Sequence, residues 1–199
     1  MKTAFVLGNG ISRLVVDLNS LRTHGKIYGC NALYREFIPD VLVATDRPIS
    51  QAIQESGYAK NNSFYTRKIL TDSGAKVIPQ PYYGYSSGPV ALALAALEQH
   101  HKIYLLGFDL GPDTNQKFNN VYAGTEFYKS QNSTQTYTGN WVKQITQIAR
   151  NFPKIQFFRV HGTTTAEIKE FQVLTNFKSC AMQEFQTIYK NSSDKVLRV

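Results

Sequence analysis

The sequence has little that would tie it to a membrane, a disulfide scaffold or a metal. Its two cysteines, Cys30 and Cys180, are too few and too far apart for a disulfide framework or a zinc-binding pattern. No apolar run approaches the roughly 20 residues that a membrane-spanning helix needs. The apolar stretch at the N-terminus is broken by Gly8, too early for a signal peptide. These features predict a chain of the reducing cytoplasm without a membrane span.

Charged residues are also scarce, at 18% of the chain, and the sequence contains no run rich in Lys and Arg. The net charge is nevertheless +8, and half of that excess falls between residues 111 and 162, with six basic and two acidic residues. Such a stretch is either a solvated surface or a segment that closes over an anionic ligand. Because no nucleic-acid-binding motif is present, a nucleic acid is a less favoured partner than a small anion.

Apolar segments that alternate with helical patterns indicate an α/β protein, with one Rossmann-like layered domain and a mostly parallel sheet. Hydrophobic residues make up 42% of the chain, which excludes a disordered protein. We expect a nucleotide-binding domain over residues 1–162, with residues 163–199 as a C-terminal helical extension packed on it. Strands are predicted at residues 3–7, 26–29, 41–44, 64–66, 76–78, 103–106 and 155–160, and helices at 31–37, 48–57, 90–101, 140–150 and within 163–190.

Residues 111–139 differ from the rest of the chain. They are rich in Asn, Gln, Ser, Thr, Gly and Tyr, and they show no sustained apolar period. An irregular segment of this length inside a domain is usually either functional or disordered. Three tyrosines, Tyr122, Tyr128 and Tyr137, argue against disorder, so we expect a loop that covers a site.

Glycines and polar residues follow the first predicted strand. Gly8 and Gly10 would let the backbone approach a phosphate, and Asn9 and Ser12 would add hydrogen-bond donors. The third glycine of the dinucleotide fingerprint is replaced by Arg13, and the Lys-Ser/Thr pair of a phosphate loop is absent. The motif therefore predicts either a phosphate-binding turn or a tight turn that needs glycine for its backbone alone.

Further polar residues follow later strands or open a helix. Asn31 offers an amide to a ribose or a base edge, and Asp46 and Asp109 offer carboxylates to a sugar hydroxyl or as a base. Each of the three would serve equally well as a helix cap or a turn residue. Ser87 and Gly88 open an Ala- and Leu-rich helix, whose N-terminus attracts anions and which Ser87 would also cap.

Metal-ligand motifs are absent from the sequence, which contains no Cys/His cluster, no His-Glu-x-x-His and no Asp-x-Asp. We therefore expect no metal cofactor. His161 follows a predicted strand and precedes Gly162, so it is either a structural residue or a side chain directed into a site.

Taken in order, these motifs resemble the bacterial sialyltransferases of glycosyltransferase family 42 and the related α/β domains described as pterin diphosphokinase-like. The resemblance covers roughly residues 3–160. It rests on a strand followed by Gly8-Asn9-Gly10-x-Ser12, on Cys30-Asn31-x-x-Tyr34, on Ser87-Gly88 before an alanine-rich helix, and on Ile103-Tyr104-Leu105-x-Gly107-x-Asp109.

The resemblance implies a metal-independent transferase that uses a cytidine monophosphate sugar as its nucleotide-activated donor. Asn9 and Ser12 would then lie near the phosphate and the ribose, and Asn31 would contact the nucleotide. Gly8, Gly10, Ser87 and Gly88 would complete the nucleotide-binding set. In that family, tyrosines of the variable loop help the phosphate to leave, and Tyr122 and Tyr128 are the candidates here.

One departure affects the chemistry that the resemblance implies. The family places a catalytic histidine before the helix that corresponds to residues 140–150, whereas this chain has no histidine there. The base would then be Asp46, Asp109 or His161. Two alternatives remain: a diphosphokinase-like enzyme, with magnesium on Asp46, Asp109 and Asp113, and a non-catalytic module that binds a nucleotide or a nucleic acid.

Overall fold

A computed structural model describes residues 2–189 of the chain. They form one sheet of eight strands in the order β5-β4-β3-β2-β1-β6-β7-β8, and all neighbouring strands are parallel. This confirms the predicted α/β fold. Residues 190–199 of the predicted C-terminal extension lie outside the described residues. The strands are β1 (Thr3–Leu7), β2 (Lys26–Cys30), β3 (Val41–Val43), β4 (Phe64–Thr66), β5 (Lys76–Val77), β6 (Lys102–Leu106), β7 (Gln156–His161) and β8 (Phe177–Ala181).

The sheet is buried on both faces, as a parallel sheet requires. Successive side chains of a strand point to opposite faces. In β1, Ala4 and Val6 accordingly join one hydrophobic core, and Phe5 and Leu7 join the other. All four side chains are fully buried, which explains why the central strands are continuous apolar runs in the sequence.

The helices cover these two faces. The third helix is buried on almost all sides because it is apolar all round, and it packs against the strands at the centre of the sheet. Among residues 2–189, no helix has both the length and the apolar character needed to cross a membrane. The helices are α1 (Arg47–Glu55), α2 (Tyr58–Asn61), α3 (Ser87–Leu97), α4 (Gly139–Asn151), α5 (Lys169–Gln172) and α6 (Met182–Ile188), and short 3-10 helices span Ile11–Val15, Leu18–Thr23, Asn31–Arg35 and Tyr82–Gly84.

The C-terminal region differs from its prediction. The apolar residues within 163–190 were expected to lie on helices alone, but Phe177–Ala181 form strand β8, which pairs with β7. In this edge strand only Phe177 and Cys180 are buried. The helical prediction rested on apolar residues such as Phe171, Leu174 and Phe177, whose spacing of three residues imitates a helical period. The described part of the extension therefore contributes to the same sheet.

The order of the strands creates a crevice at one edge of the sheet. From β1 the chain builds β2 to β5 on one side, then returns through α3 and builds β6 to β8 on the other side. The connections that leave β1 and β6 therefore run in different directions. In open α/β sheets, ligands bind in the crevice outside the carboxyl ends of the strands at this topological switch point.

Candidate functional site

A cavity of about 420 Å³ lies at this switch point. It is bounded by the loops that follow the strands at the centre of the sheet, by the start of α3 and by residues 111–138, which we call the covering loop. Its volume is within the usual range of small-molecule sites. The residues that line it include Gly8, Asn9, Gly10, Asn31, Asp46, Arg67, Ser87, Gly88, Phe108, Asp109, Leu110, Phe127, Tyr128, Lys129 and Trp141.

Most of the predicted site residues meet in this cavity, although they come from distant parts of the chain. Three do not line it, namely Ser12, Tyr122 and His161. The nine that do are Gly8, Asn9, Gly10, Asn31, Asp46, Ser87, Gly88, Asp109 and Tyr128. The carboxyl ends of parallel strands share one edge of a sheet, which is why short motifs far apart in sequence converge here.

Gly8 and Gly10 are needed because the loops after β1 and β6 pack closely together. A Cβ atom on Gly8 would lie 2.5 Å from the carbonyl oxygen of Gly107, and one on Gly10 would collide with the carboxylate of Asp109. The amide of Gly8 donates to Leu106 (2.8 Å), which extends the pairing beyond the strands. Contact between the two loops therefore requires both glycines, whether or not a phosphate also approaches them.

Asp109 joins three loops and is 3% exposed. Its carboxylate accepts hydrogen bonds from the amide of Ser12 (3.1 Å), from the hydroxyl of Ser12 and from the hydroxyl of Thr164 (2.7 Å). The guanidinium of Arg159 donates to the backbone carbonyl of Asp109 at 2.8 Å. Asp109 thus holds the ends of β1, β6 and β7 in register, and Ser12 is occupied with this carboxylate instead of facing the cavity.

Asn9 and Asn31 line the cavity, and each carries an unsatisfied polar atom. The Oδ1 atoms of both side chains are buried and have no hydrogen-bond partner. Cys30 occupies the N-cap position of the 3-10 helix that starts at Asn31, so the capping alternative for Asn31 is wrong. A buried acceptor without a partner costs about 1–3 kcal/mol. Because neither oxygen is open to solvent, a ligand in the cavity would recover this cost once the side chain turned to accept its hydrogen bond.

The backbone around the cavity is also strained. Six described residues other than glycine have a positive φ, and three of them, Asn31 (53°), Leu110 (54°) and Phe127 (71°), line the cavity. Left-handed conformations are uncommon for residues other than glycine and asparagine, and they gather at ligand sites. Two of the three are bulky apolar residues, for which this conformation is particularly unfavourable.

The N-terminus of α3 faces the cavity. Ser86, rather than the predicted Ser87, is its N-cap residue. The hydroxyl of Ser87 instead accepts a hydrogen bond from the amide of Thr45 (2.9 Å), which fixes the loop after β3 to the helix. Ser87 and Gly88 supply the first amides of the helix, which have no acceptor within it. Such amides, together with the helix dipole, favour an anion.

Asp46 is an exposed carboxylate at the edge of the cavity. It occupies the N-cap position of α1, but its side chain makes no capping hydrogen bond. The two cavity carboxylates therefore differ: the oxygens of Asp109 are engaged by internal donors, whereas Asp46 can meet a ligand.

The covering loop is held down by specific hydrogen bonds. The amide of Val121 donates to the carbonyl of Asn9 (2.8 Å), and the side chain of Asn119 accepts from the amide of Ile11 (2.9 Å). These bonds fix the loop over the segment that follows β1. These hydrogen bonds agree with the expectation, drawn from its three tyrosines, that the covering loop is ordered.

The two tyrosines that were expected to act together have different surroundings. Tyr122 is 7% exposed and is bound to Arg13 (2.8 Å) and Glu36 beneath the covering loop. Burial raises the pKa of Tyr122, so its hydroxyl stays protonated and donates to Glu36. Tyr128 lines the cavity, and its hydroxyl accepts from the amide of Ala32 at 3.3 Å. Only Tyr128 is placed to reach a ligand in the cavity.

His161 lies elsewhere, in a second depression of about 230 Å³ beside Arg159 and Ser179. Its Nε2 atom is 3.2 Å from the hydroxyl of Ser179. Burial and then the charge of Arg159 lower the pKa of His161, which favours the neutral imidazole. The structure does not bring this histidine together with the other candidate bases.

The cations at the cavity are not those that the charge distribution indicated. Of the six basic residues between 111 and 162, only Lys129 lines it. The second cation is Arg67, which sequence reasoning missed. It directly follows the predicted strand at 64–66, and the other candidates were chosen because they too follow the carboxyl ends of predicted strands. Phe108, Phe127 and Trp141 were also missed, because aromatic residues are equally common in a core.

Metal-binding groups are not clustered in the described part of the chain. Residues 2–189 contain no group of three or more His, Cys, Asp or Glu side chains placed to hold a metal ion. Asp113, a candidate for the magnesium alternative, accepts hydrogen bonds from the amides of Asn115 (2.9 Å) and Lys117 (2.8 Å) and does not line the cavity. No family model matches the chain, and comparisons with curated proteins and with solved structures find no match either.

Proposed function

We propose that this chain is a transferase that binds a nucleotide-activated donor, most simply a nucleotide sugar, in the cavity at the switch point. The observation that carries the proposal is the pair of buried, unpartnered Oδ1 atoms of Asn9 and Asn31, two residues that line that cavity. Ribose hydroxyls and the amino groups of bases are donors of the kind that these oxygens lack. The sialyltransferase-like order of the motifs supports the same class of donor.

Each part of such a donor has a complementary feature in the cavity. The amides of Ser87 and Gly88 at the start of α3 suit a phosphate. The rings of Phe108, Phe127 and Trp141 give apolar surface to a base. The covering loop would shield the reacting bond from water, as closed loops do in many transferases.

Asp46 is the candidate base for transfer. An acceptor hydroxyl would form the new bond to the transferred carbon and give its proton to Asp46, while the bond from that carbon to the phosphate oxygen breaks. Of the other candidate bases, Asp109 is engaged by Ser12 and Thr164, and His161 lies in a different depression. Asp46 is therefore the candidate whose side chain is available.

Calorimetric titration with the 5′-monophosphates of cytidine, uridine, guanosine and adenosine tests the proposal. We expect at least one to bind, and Asn9→Ala and Asn31→Gly to weaken it at least about fivefold, because an uncharged buried hydrogen-bond partner is worth about 1–3 kcal/mol. Glycine at position 31 keeps the positive φ accessible. Asn132→Ala, in the covering loop but outside the cavity, is the matched control and should bind as the unchanged protein does.

Two results would contradict the proposal. One is the absence of binding by all four nucleotides at millimolar concentration. The other is binding that is insensitive to both asparagine substitutions. Asp46→Asn separates the catalytic part of the proposal from the binding part, since it should retain nucleotide affinity and abolish release of nucleotide from a donor sugar.

A further inference from the structure

Arg67 is fixed in place by the backbone that leads into α3. It directly follows β4, and its Nε donates to the carbonyl of Tyr83 at 2.9 Å. Its Nη2 donates to the carbonyls of Tyr85 (2.9 Å) and Gly84 (3.3 Å). These carbonyls immediately precede Ser86, the N-cap residue of α3. The guanidinium therefore lies next to the helix N-terminus and lines the same cavity.

The charge of this guanidinium is not neutralised by the described residues. All three of its hydrogen bonds go to neutral carbonyls, its Nη1 atom has no partner, and no carboxylate of residues 2–189 forms an ion pair with it. Arginine presents its donors in a rigid fork that matches phosphate geometry. A fixed guanidinium that belongs to a cavity-lining residue and keeps one edge free of the described residues is thus suited to an anion.

A second cation lines the cavity from the covering loop. Lys129 belongs to the covering loop, is exposed, and forms no ion pair with residues 2–189. Tyr122, which was expected to assist the leaving phosphate, is held by Arg13 and Glu36 outside the cavity. Arg67 and Lys129 are the cations at the cavity that remain to assist the leaving phosphate.

We infer that Arg67, assisted by Lys129, binds the phosphate of the donor and stabilises the charge that develops when this phosphate leaves. The inference rests on the proposed function. When the bond between the transferred carbon and the phosphate oxygen breaks, its electron pair stays on that oxygen. The charge of a monophosphate then changes from −1 in the donor to −2 in the product, so a fixed cation favours the later stages of the reaction.

Binding measurements at pH 7.5 test this inference and do not require that the acceptor substrate is known. Three probes share one base, chosen as the one that binds best: the nucleoside, the methyl ester of its 5′-monophosphate with charge −1, and the free 5′-monophosphate with charge close to −2. We expect affinity to rise in that order, with the dianion at least tenfold tighter than the ester. In Arg67→Gln this preference should largely disappear, whereas the affinity for the nucleoside should stay within about twofold.

Further variants separate charge from structure. Arg67→Lys keeps the cation and should retain part of the preference for the dianion, even though it loses the hydrogen bonds to residues 83–85. Lys129→Gln breaks no hydrogen bond of the described residues and should lower the preference by a smaller factor. Lys68→Gln, which removes an exposed charge next to Arg67 that does not line the cavity, is the matched control and should change nothing.

The outcomes are distinguishable. Equal affinity of the unchanged protein for the ester and the dianion would overturn the inference and leave the proposed function in place. An equal loss of affinity for all three probes in Arg67→Gln would overturn it as well, because Arg67 would then only support the loop. If none of the probes binds, the proposed function fails and the inference fails with it. If Arg67→Gln does not fold, as judged by circular dichroism, Arg67→Lys and Lys129→Gln decide the question.

Discussion

The two ends of the parallel sheet are built differently. At the amino end, side-chain polar groups pair with each other: Lys26 and Glu98 form an ion pair at 2.7 Å, and the hydroxyl of Tyr28 lies 3.0 Å from Nε2 of His100. The exception there is the buried Nδ1 of His100, which has no partner among the described residues. At the carboxyl end, buried amide oxygens of Asn9 and Asn31 have no partner, and long connections replace the short turns.

The difference indicates which end serves the fold and which serves a ligand. A sequence that specifies one structure normally satisfies its polar groups, and departures from this rule gather at functional sites. The carboxyl end also carries the strained residues Leu110 and Phe127. Its unsatisfied atoms and its strain therefore fit a site that a bound molecule completes.

The largest expected effect contrasts the two cavity carboxylates. Asp109→Asn should lower the free energy of unfolding by about 4 kcal/mol, because an amide nitrogen would face the donors of Ser12 and Thr164. Asp46→Asn should change it by no more than about 0.5 kcal/mol, since its side chain is exposed and makes no capping bond. Urea denaturation measures both. Equal effects of the two substitutions would contradict the structural role of Asp109.

The second prediction concerns the amino end. His100 is 1% exposed, and burial, followed by the charge of Lys2, lowers its pKa from 6.5 to about 4. The unfolded chain therefore takes up the proton first. The contribution of the neutral ring to the free energy of unfolding is fully present above pH 6.5. This contribution decreases by about 3 kcal/mol as the pH falls from 6.5 to about 4.

His100→Gln should remove this contribution to the pH dependence, because glutamine keeps an acceptor for the hydroxyl of Tyr28 and does not titrate. The measurement is the difference in unfolding free energy between the variant and the unchanged protein from pH 7.5 to 4. If the unfolding free energies of the variant and the unchanged protein differed by the same amount at every pH in this range, His100 would not titrate as the structure indicates.

The smallest expected effect concerns the backbone strain of residues with a positive φ, at the amino end and at the carboxyl end of the sheet. Gln99 (φ 56°) is exposed after α3 at the amino end, and Phe127 (φ 71°) lines the cavity. Gln99→Gly should raise the free energy of unfolding by about 0.5 kcal/mol and leave nucleotide binding unchanged. Phe127→Gly should change stability by no more than about 0.5 kcal/mol, because relief of strain offsets lost packing, but should weaken nucleotide binding several-fold. Unaltered binding in Phe127→Gly would remove Phe127 from the site.

Much of the fold could be predicted because parallel strands buried on both faces leave a strong local signal. The prediction for residues 3–7 matches β1 to the residue, and that for 64–66 matches β4. Strand β8 could not be recognised, because an edge strand that buries only Phe177 and Cys180 has no alternation to detect. Local patterns reveal periodic burial and fail where few side chains are buried.

The candidate site was predictable only in part. Asn9, Asn31 and Ser87 could be found because each lies within two residues of a strand's end or opens a helix, so the chain itself implies their position relative to the sheet. The separation of Tyr122 from Tyr128 could not be predicted, since it depends on Arg13 and Glu36, which lie 109 and 86 residues before Tyr122.

The sequence by itself determined the α/β class, the central strands and the motifs at their carboxyl ends, because these follow from local hydrophobicity and backbone preference. Only the tertiary structure decided which carboxylate is engaged, Asp109 rather than Asp46, and which cation lies beside α3. The physical reason is that hydrogen bonds and charge pairing depend on distances between side chains from different strands. Those distances exist only once the sheet has brought the ends of β1, β4 and β6 into one layer.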